Sequence, residues 1–181
     1  MKRLFILAAL CAVFYTTHAQ IKPGIKAGLN ITNIVGKDIP EYRSKVGFHF
    51  GLTGNLEMTK NLGVRAELLY SAQGARWDDD NEKTTLNYLQ LPVLVRYRFD
   101  KGFFAEAGPQ IGFLLKAEDD DEGDIYNIKE FVKKSDISLA LGVGYSLNTK
   151  FDVYARYNAS FTKYYDEEKN SVFQFGVNYI F

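Results

Sequence analysis

Apolar and polar residues alternate with a period of two along most of this chain, and the last segment shows it most plainly. Phe173, Phe175, Val177, Tyr179 and Phe181 share one face, while Gln174, Gly176, Asn178 and Ile180 share the other. That period belongs to strands with two unlike faces. The same pattern places strands near 23–32, 46–57, 63–75, 85–98, 103–116, 135–147, 151–162 and 172–181. Within the fifth, Phe103, Ala105, Ala107, Ile111, Phe113 and Leu115 oppose Glu106, Gly108, Gln110 and Gly112. In the sixth, Ile137, Leu139, Leu141, Val143, Tyr145 and Leu147 oppose Ser138, Ala140, Gly142, Gly144 and Ser146. Tight turns at Thr59–Asn61, Asp100–Gly102 and Asn148–Lys150 alternate with longer polar excursions near 33–45, 76–84, 117–134 and 163–171. The prediction is an all-β fold, an eight-stranded antiparallel up-and-down barrel with both termini at the short-turn end. Pro109 falls inside the fifth strand, where proline marks an edge or bulge, so a local irregularity is expected there. Pro92, facing inward in the fourth, is expected to bend it.

Alternation alone does not say which face is inside, since a soluble lipocalin-like barrel with an apolar interior shows the same period. The polar face decides it. Besides charges it collects Gly28, Gly47, Gly51, Gly108, Gly112, Gly142, Gly144 and Gly176, which suit a narrow interior where backbone and large side chains approach closely. Aromatic positions agree: Tyr97, Phe99, Phe103, Phe151, Tyr179 and Phe181 gather at the short-turn end, and Phe48, Phe50, Tyr70, Phe161 and Phe173 toward the other. Two aromatic girdles are what the two interfaces of a membrane favour. Outer-membrane barrels also pair short periplasmic turns with long external loops. The expected surroundings of the apolar face are therefore outer-membrane lipid.

Strand direction then sets the height of the inward charges. Lys26, Glu57, Arg65, Glu67, Arg96, Arg98, Glu106, Asp152 and Arg156 all fall in the periplasmic half. An eight-stranded lumen is only wide enough for side chains, so these groups are expected to pair as a structural plug, unpaired buried charge being very costly. An ion or proton relay is the functional alternative. It suits arginine poorly, because the guanidinium stays protonated and clamps carboxylates. His49 points inward near the external rim. It has no serine beside it in sequence and no nucleophile motif surrounds any serine, so acyl chemistry of the kind found in membrane-embedded lipases is not expected.

Residues 1–19 read as a secretory signal, with Lys2 and Arg3 ahead of the apolar stretch Leu4–Phe14 and Thr17-His18-Ala19 as cleavage site. The stretch is shorter than the roughly 20 residues of a spanning helix. Residues 20–181 are then the barrel domain. The full chain carries 22 basic and 22 acidic residues, and loss of Lys2 and Arg3 leaves it slightly acidic, so nucleic acid is not an expected partner. Cys11, the one cysteine, lies in the signal, so the domain has neither disulfide framework nor thiolate. No cofactor is expected. The acidic runs Asp78–Asp80 and Glu118–Asp124 are oxygen-rich, as calcium prefers, but Asp119, Asp121 and Gly123 miss the register of a calcium-binding loop. They read as solvated loop charge. Trp77 reads as an interfacial anchor.

Four stretches taken together resemble the PorT-like outer-membrane barrel family common in Bacteroidetes: Gly24-Ile25-Lys26-Ala27-Gly28-Leu29-Asn30, Glu67-Leu68-Leu69-Tyr70-Ser71 through Gly74, Tyr88 through Tyr97 with Pro92 at the family's usual proline, and Gly108-Pro109 through Leu115. The resemblance covers residues 20–181 and implies an eight-stranded, porin-like outer-membrane barrel. One branch of the family is associated with secretion of proteins through the type IX system, and these residues do not place the chain in it. Resemblance to outer-membrane barrels also implies that Phe181 and Tyr179 form the signal read by the barrel-assembly machinery. The expected function is a non-enzymatic integral barrel with a filled lumen, presenting external loops to a protein partner or supporting secretion. The alternatives are an outer-membrane enzyme acting on lipid or peptide, and a secreted lipocalin-like barrel binding an apolar ligand.

Overall fold

The computed structural model describes residues 21–35, 43–76, 83–121, 124–163 and 169–181. Its strands are β1 (Lys22–Val35), β2 (Arg43–Glu57), β3 (Leu62–Arg76), β4 (Lys83–Arg98), β5 (Phe103–Asp121), β6 (Asp124–Asn127), β7 (Ser135–Ser146), β8 (Phe151–Lys163) and β9 (Lys169–Ile180), with one 3₁₀ turn at Asp100–Gly102. Neighbouring strands run β4-β3-β2-β1-β9-β8-β7-β5, and the β4–β5 pairing closes the ring. Every pairing is antiparallel. Closure leaves the eight barrel strands with no open edge, the condition for crossing a bilayer with β-structure. The shortest of them has 12 residues, more than the 9–11 or so that a tilted strand needs to cross.

The side facing outward is the apolar one. Leu141, Phe175 and Val95 are 48%, 46% and 54% exposed, whereas Arg65, Arg156 and Lys26 are among the largest fully buried side chains. This inversion overturns the lipocalin-like alternative. Both aromatic groups lie outside, and within each group the rings are in contact. Tyr97 meets Phe99, Phe103 meets Tyr145, and Tyr179 meets both Phe151 and Phe181 at the short-turn end. Phe48 and Phe50 flank Tyr70, and Tyr157 meets Phe173, nearer the other.

Three details differ from the sequence expectation. First, β5 continues past 116 to Asp121 and returns through β6, so part of the 117–134 excursion is a hairpin. The acidic residues are accommodated in a strand because Lys83 pairs with Asp120 at 2.8 Å and Thr84 Oγ1 donates to Asp119 Oδ1 at 2.9 Å. Second, the irregularity expected at Pro109 takes the form of a gap in the β4–β5 ladder, between the Pro92–Gln110 and Val95–Ala107 pairs, and not of a bulge or register shift. Gly108, Pro109 and Gln110 pair in sequence with Ala140, Leu139 and Ser138, and the β4–β5 ladder resumes past the prolines in the register it had before them. A proline removes an N–H without adding a residue, so the ladder loses a bond and does not slip. Shifts occur instead between Ser44 and His49, Asn87 and Tyr88, and Ala159 and Lys163, toward the long-loop end. Third, His49 lies at mid-strand in β2, opposite Gly28 of β1.

Candidate functional site

Register brings seven charged side chains to one zone of the lumen: Lys26 from β1, Arg65 and Glu67 from β3, Arg96 from β4, Glu106 from β5, and Asp152 and Arg156 from β8. Gly142 of β7 stands directly between Glu106 and Arg156 across two ladders. With no side chain there, the two reach over it and meet. A Cβ on Gly142 would lie 3.0 Å from Glu106 Cγ. Gly144 serves a neighbour in the same way, since a Cβ there would lie 2.2 Å from the Phe104 ring.

The zone forms two linked groups. Toward the short turns, Asp152 Oδ2 accepts from Arg65 Nη2 and Arg96 Nη1, both at 2.7 Å, while Ser146 Oγ donates to Asp152 Oδ1 at 2.7 Å. Deeper in, Arg156 forks onto Glu67 with two bonds of 2.8 Å and also bonds Glu106 Oε1 at 2.5 Å. Lys26 Nζ reaches Glu67 Oε1 at 2.9 Å. Arg65 Nη1, 3.5 Å from Glu106 Oε2, ties the groups together. Each carboxylate thus takes two or more cations, the arrangement that offsets the cost of removing these ions from water. Four cations still face three carboxylates, and aromatic faces meet the surplus. Lys26 Nζ lies 3.7 Å from the centre of the Tyr154 ring and Arg96 Cζ 3.6 Å from that of Phe104.

Glu57 and Arg98 do not belong to this zone. They are the last residues of β2 and β4, where the ring opens to water, and their side chains are 45% and 38% exposed. Glu57 pairs there with Lys22 at 3.0 Å and Arg98 at 3.4 Å. Such rim pairs contribute little. Lys22 escaped the sequence reading because it lies just before the expected start of the first strand.

Above the charges, His49 is fully engaged. Asn30 Nδ2 shares its two hydrogens among Phe48 O, Ser71 Oγ and Ala72 O, so its Oδ1 is the acceptor that faces His49 Nδ1 at 2.7 Å. The proton therefore sits on Nδ1, and Nε2 accepts from the Tyr154 hydroxyl. Both ring nitrogens are thus occupied, one by an amide oxygen and the other by a phenol. Tyr154 was legible as inward from its place between Asp152 and Arg156, but its link to His49, distant in sequence, was not.

At the long-loop end the lumen turns apolar. Val132 inserts among Leu86, Tyr88, Leu114 and Ala117, with Ile128 packed against them. Backbone bonds hold this cap in place: Leu114 N donates to Lys134 O at 2.8 Å and Ile128 N to Ala117 O at 3.2 Å. Trp77, Asp78–Asp80, Glu122 and Gly123 lie outside the described residues. Among the described residues no group of three or more His, Cys, Asp or Glu side chains could hold a metal ion.

A family profile described as outer membrane protein beta-barrel domain matches residues 18–166. Among solved structures, the chain is similar to Ail, the attachment invasion locus protein of Yersinia pestis, at 19% identity and a TM-score of 0.55, covering 90% of this chain and 99% of that one. That structure was determined in complex with the heparin analogue sucrose octasulfate. The chain is also similar to Neisserial surface protein A, at 14% identity and a TM-score of 0.58, covering 88% of this chain and 97% of that one. At these identities the likeness establishes the shared barrel fold. No curated protein matches the chain by sequence.

Proposed function

The chain belongs to the outer membrane protein beta-barrel domain family, and from that premise we propose that it is a non-enzymatic integral barrel, sealed to solutes, whose work is done by external segments offered to a protein partner. The observation that carries this reading is the interlocked lumen, with paired charges around Arg156 below and Val132 inserted above. Outer-membrane lipid surrounds the wall. Porins that pass solutes use about 16–18 strands and leave water in the lumen; here side chains take that space. Planar-bilayer recordings on the refolded protein are expected to show no stable open channel. Large, long-lived conductance steps would reject the sealed lumen.

Within the family, the four ordered motifs from Gly24 to Leu115 support a PorT-like assignment, and with it a role assisting protein secretion as one form the partnership could take. We also assign a signal role to residues 1–19, leaving 20–181 as the barrel. Phe181 and Tyr179 then act as the feature recognised by the barrel-assembly machinery. Phe181 is 63% exposed and stacks edge-on to Tyr179, while its amide bonds Pro23 O at 2.9 Å. Its ring is thus available to a partner while its backbone completes the wall. Deleting Phe181 is expected to lower the amount of folded, heat-modifiable protein in the outer membrane while refolding into detergent in vitro proceeds. Undiminished outer-membrane levels would remove that role.

A further inference from the structure

Among the described residues, the hairpin of β5 and β6 leaves one strand edge without a pairing partner above the membrane. β7 accompanies β5 from Phe103 to Phe113, and β6 takes over alongside Glu118–Asp121. Among the described residues β6 pairs with β5 alone. Ile128 N bonds Ala117 O, so by the alternation of an antiparallel ladder the amides and carbonyls of Ile125 and Asn127 point away from β5. Ile125 and Tyr126 on this strand, and Phe131 beyond it, are 64%, 56% and 76% exposed.

Edge strands are commonly guarded by lysine or proline. This one has neither. Its hairpin carries Glu118, Asp119, Asp120, Asp121 and Asp124, of which Glu118 and Asp120 pair with Lys116 and Lys83, while Asp121 stands directly opposite Asp124 at the tip. Such an edge repels acidic strands and the anionic surface of a membrane, and it attracts cationic ones. We propose that the outward edge of β6 receives an extended, basic segment of a partner protein by strand addition, with main-chain bonds to Ile125 and Asn127 and apolar contact with Ile125 and Tyr126. The proposal rests on the partner-presenting reading above and names the partner's chemistry.

Its test uses the refolded full-length barrel in lipid nanodiscs and fluorescent octapeptides, one alternating Lys and Val, the other Glu and Val. The Lys-Val peptide is expected to bind, and the Glu-Val peptide about tenfold or more weaker. Ile125→Pro removes an amide that β5 does not use and places a ring on the edge, so it should weaken Lys-Val binding by about tenfold. Ile125→Val, which keeps the amide, should bind as the parent does. Equal binding by Ile125→Pro would reduce the effect to ion exchange on acidic side chains and overturn strand addition, as would absence of Lys-Val binding. A silent bilayer recording beside either result leaves the sealed-barrel reading standing, whereas open channels reject that reading itself.

Discussion

Replacing Arg156 with leucine is expected to lower the folding free energy by about 3–5 kcal/mol, the cost of leaving buried charge without its partner. Counting charges predicts otherwise, because the variant would hold three cations against three carboxylates. Geometry decides the matter. Arg156 is the group that bonds both Glu67 and Glu106, and its loss leaves Glu67 with Lys26 and Glu106 with Arg65 at 3.5 Å. Both carboxylates are fully buried, so water does not replace the missing donors. Arg156→Lys keeps the charge but cannot bond both in the same way, so it should fall between parent and leucine variant. Arg96→Leu is the contrasting case. Asp152 would keep Arg65 at 2.7 Å and Ser146 at 2.7 Å, and the surplus positive charge would disappear, so the loss should be smaller. Urea titrations of the three variants folded into lipid vesicles give the order. An Arg156→Leu midpoint equal to that of the parent would mean the charge zone does not hold the lumen together.

The wall was readable from the chain because lipid outside and charge inside impose one phase on every strand, so that Leu141 and Arg156 could be assigned to opposite sides by counting. The bottom of the site followed from the same count for Lys26, Arg65, Glu67, Arg96, Glu106, Asp152 and Arg156. Counting fixes side and height, but not how strands end. Glu57 and Arg98 have the inward phase, yet stand where the ring has already opened. The cap was hidden for a different reason. Leu86, Tyr88 and Leu114 break the rule of polar residues inside, and what makes them compatible with the lumen is Val132, which arrives from a connection with no period to read. The bond between His49 and Tyr154 joins residues far apart in sequence. It depends on Gly28 and Gly176 beneath them, where a Cβ would lie 2.7 Å from His49 Cε1 and 2.8 Å from the Tyr154 hydroxyl. The glycines announced a crowded interior, and the identity of the crowding side chains came only with the register.

Leu141→Arg examines the opposite face of the same wall and is expected to cost about 2–4 kcal/mol, as cations do on the lipid side of a barrel near the midplane. Leu141 lies in the middle of β7, paired with Ala107 on one side and Tyr157 on the other. Both of those neighbours share its outward phase, so the guanidinium has no carboxylate to meet and must reach for an interface through apolar surroundings. Leu147, 61% exposed in the turn after β7, provides the depth control. Arginine there should cost only about 0–1 kcal/mol, because headgroups and water are within reach. The contrast between the two positions should shrink in detergent micelles, whose apolar layer deforms more readily around a charge than a bilayer does. Equal costs at Leu141 and Leu147 in vesicles, or none at Leu141, would mean that lipid does not cover the centre of β7.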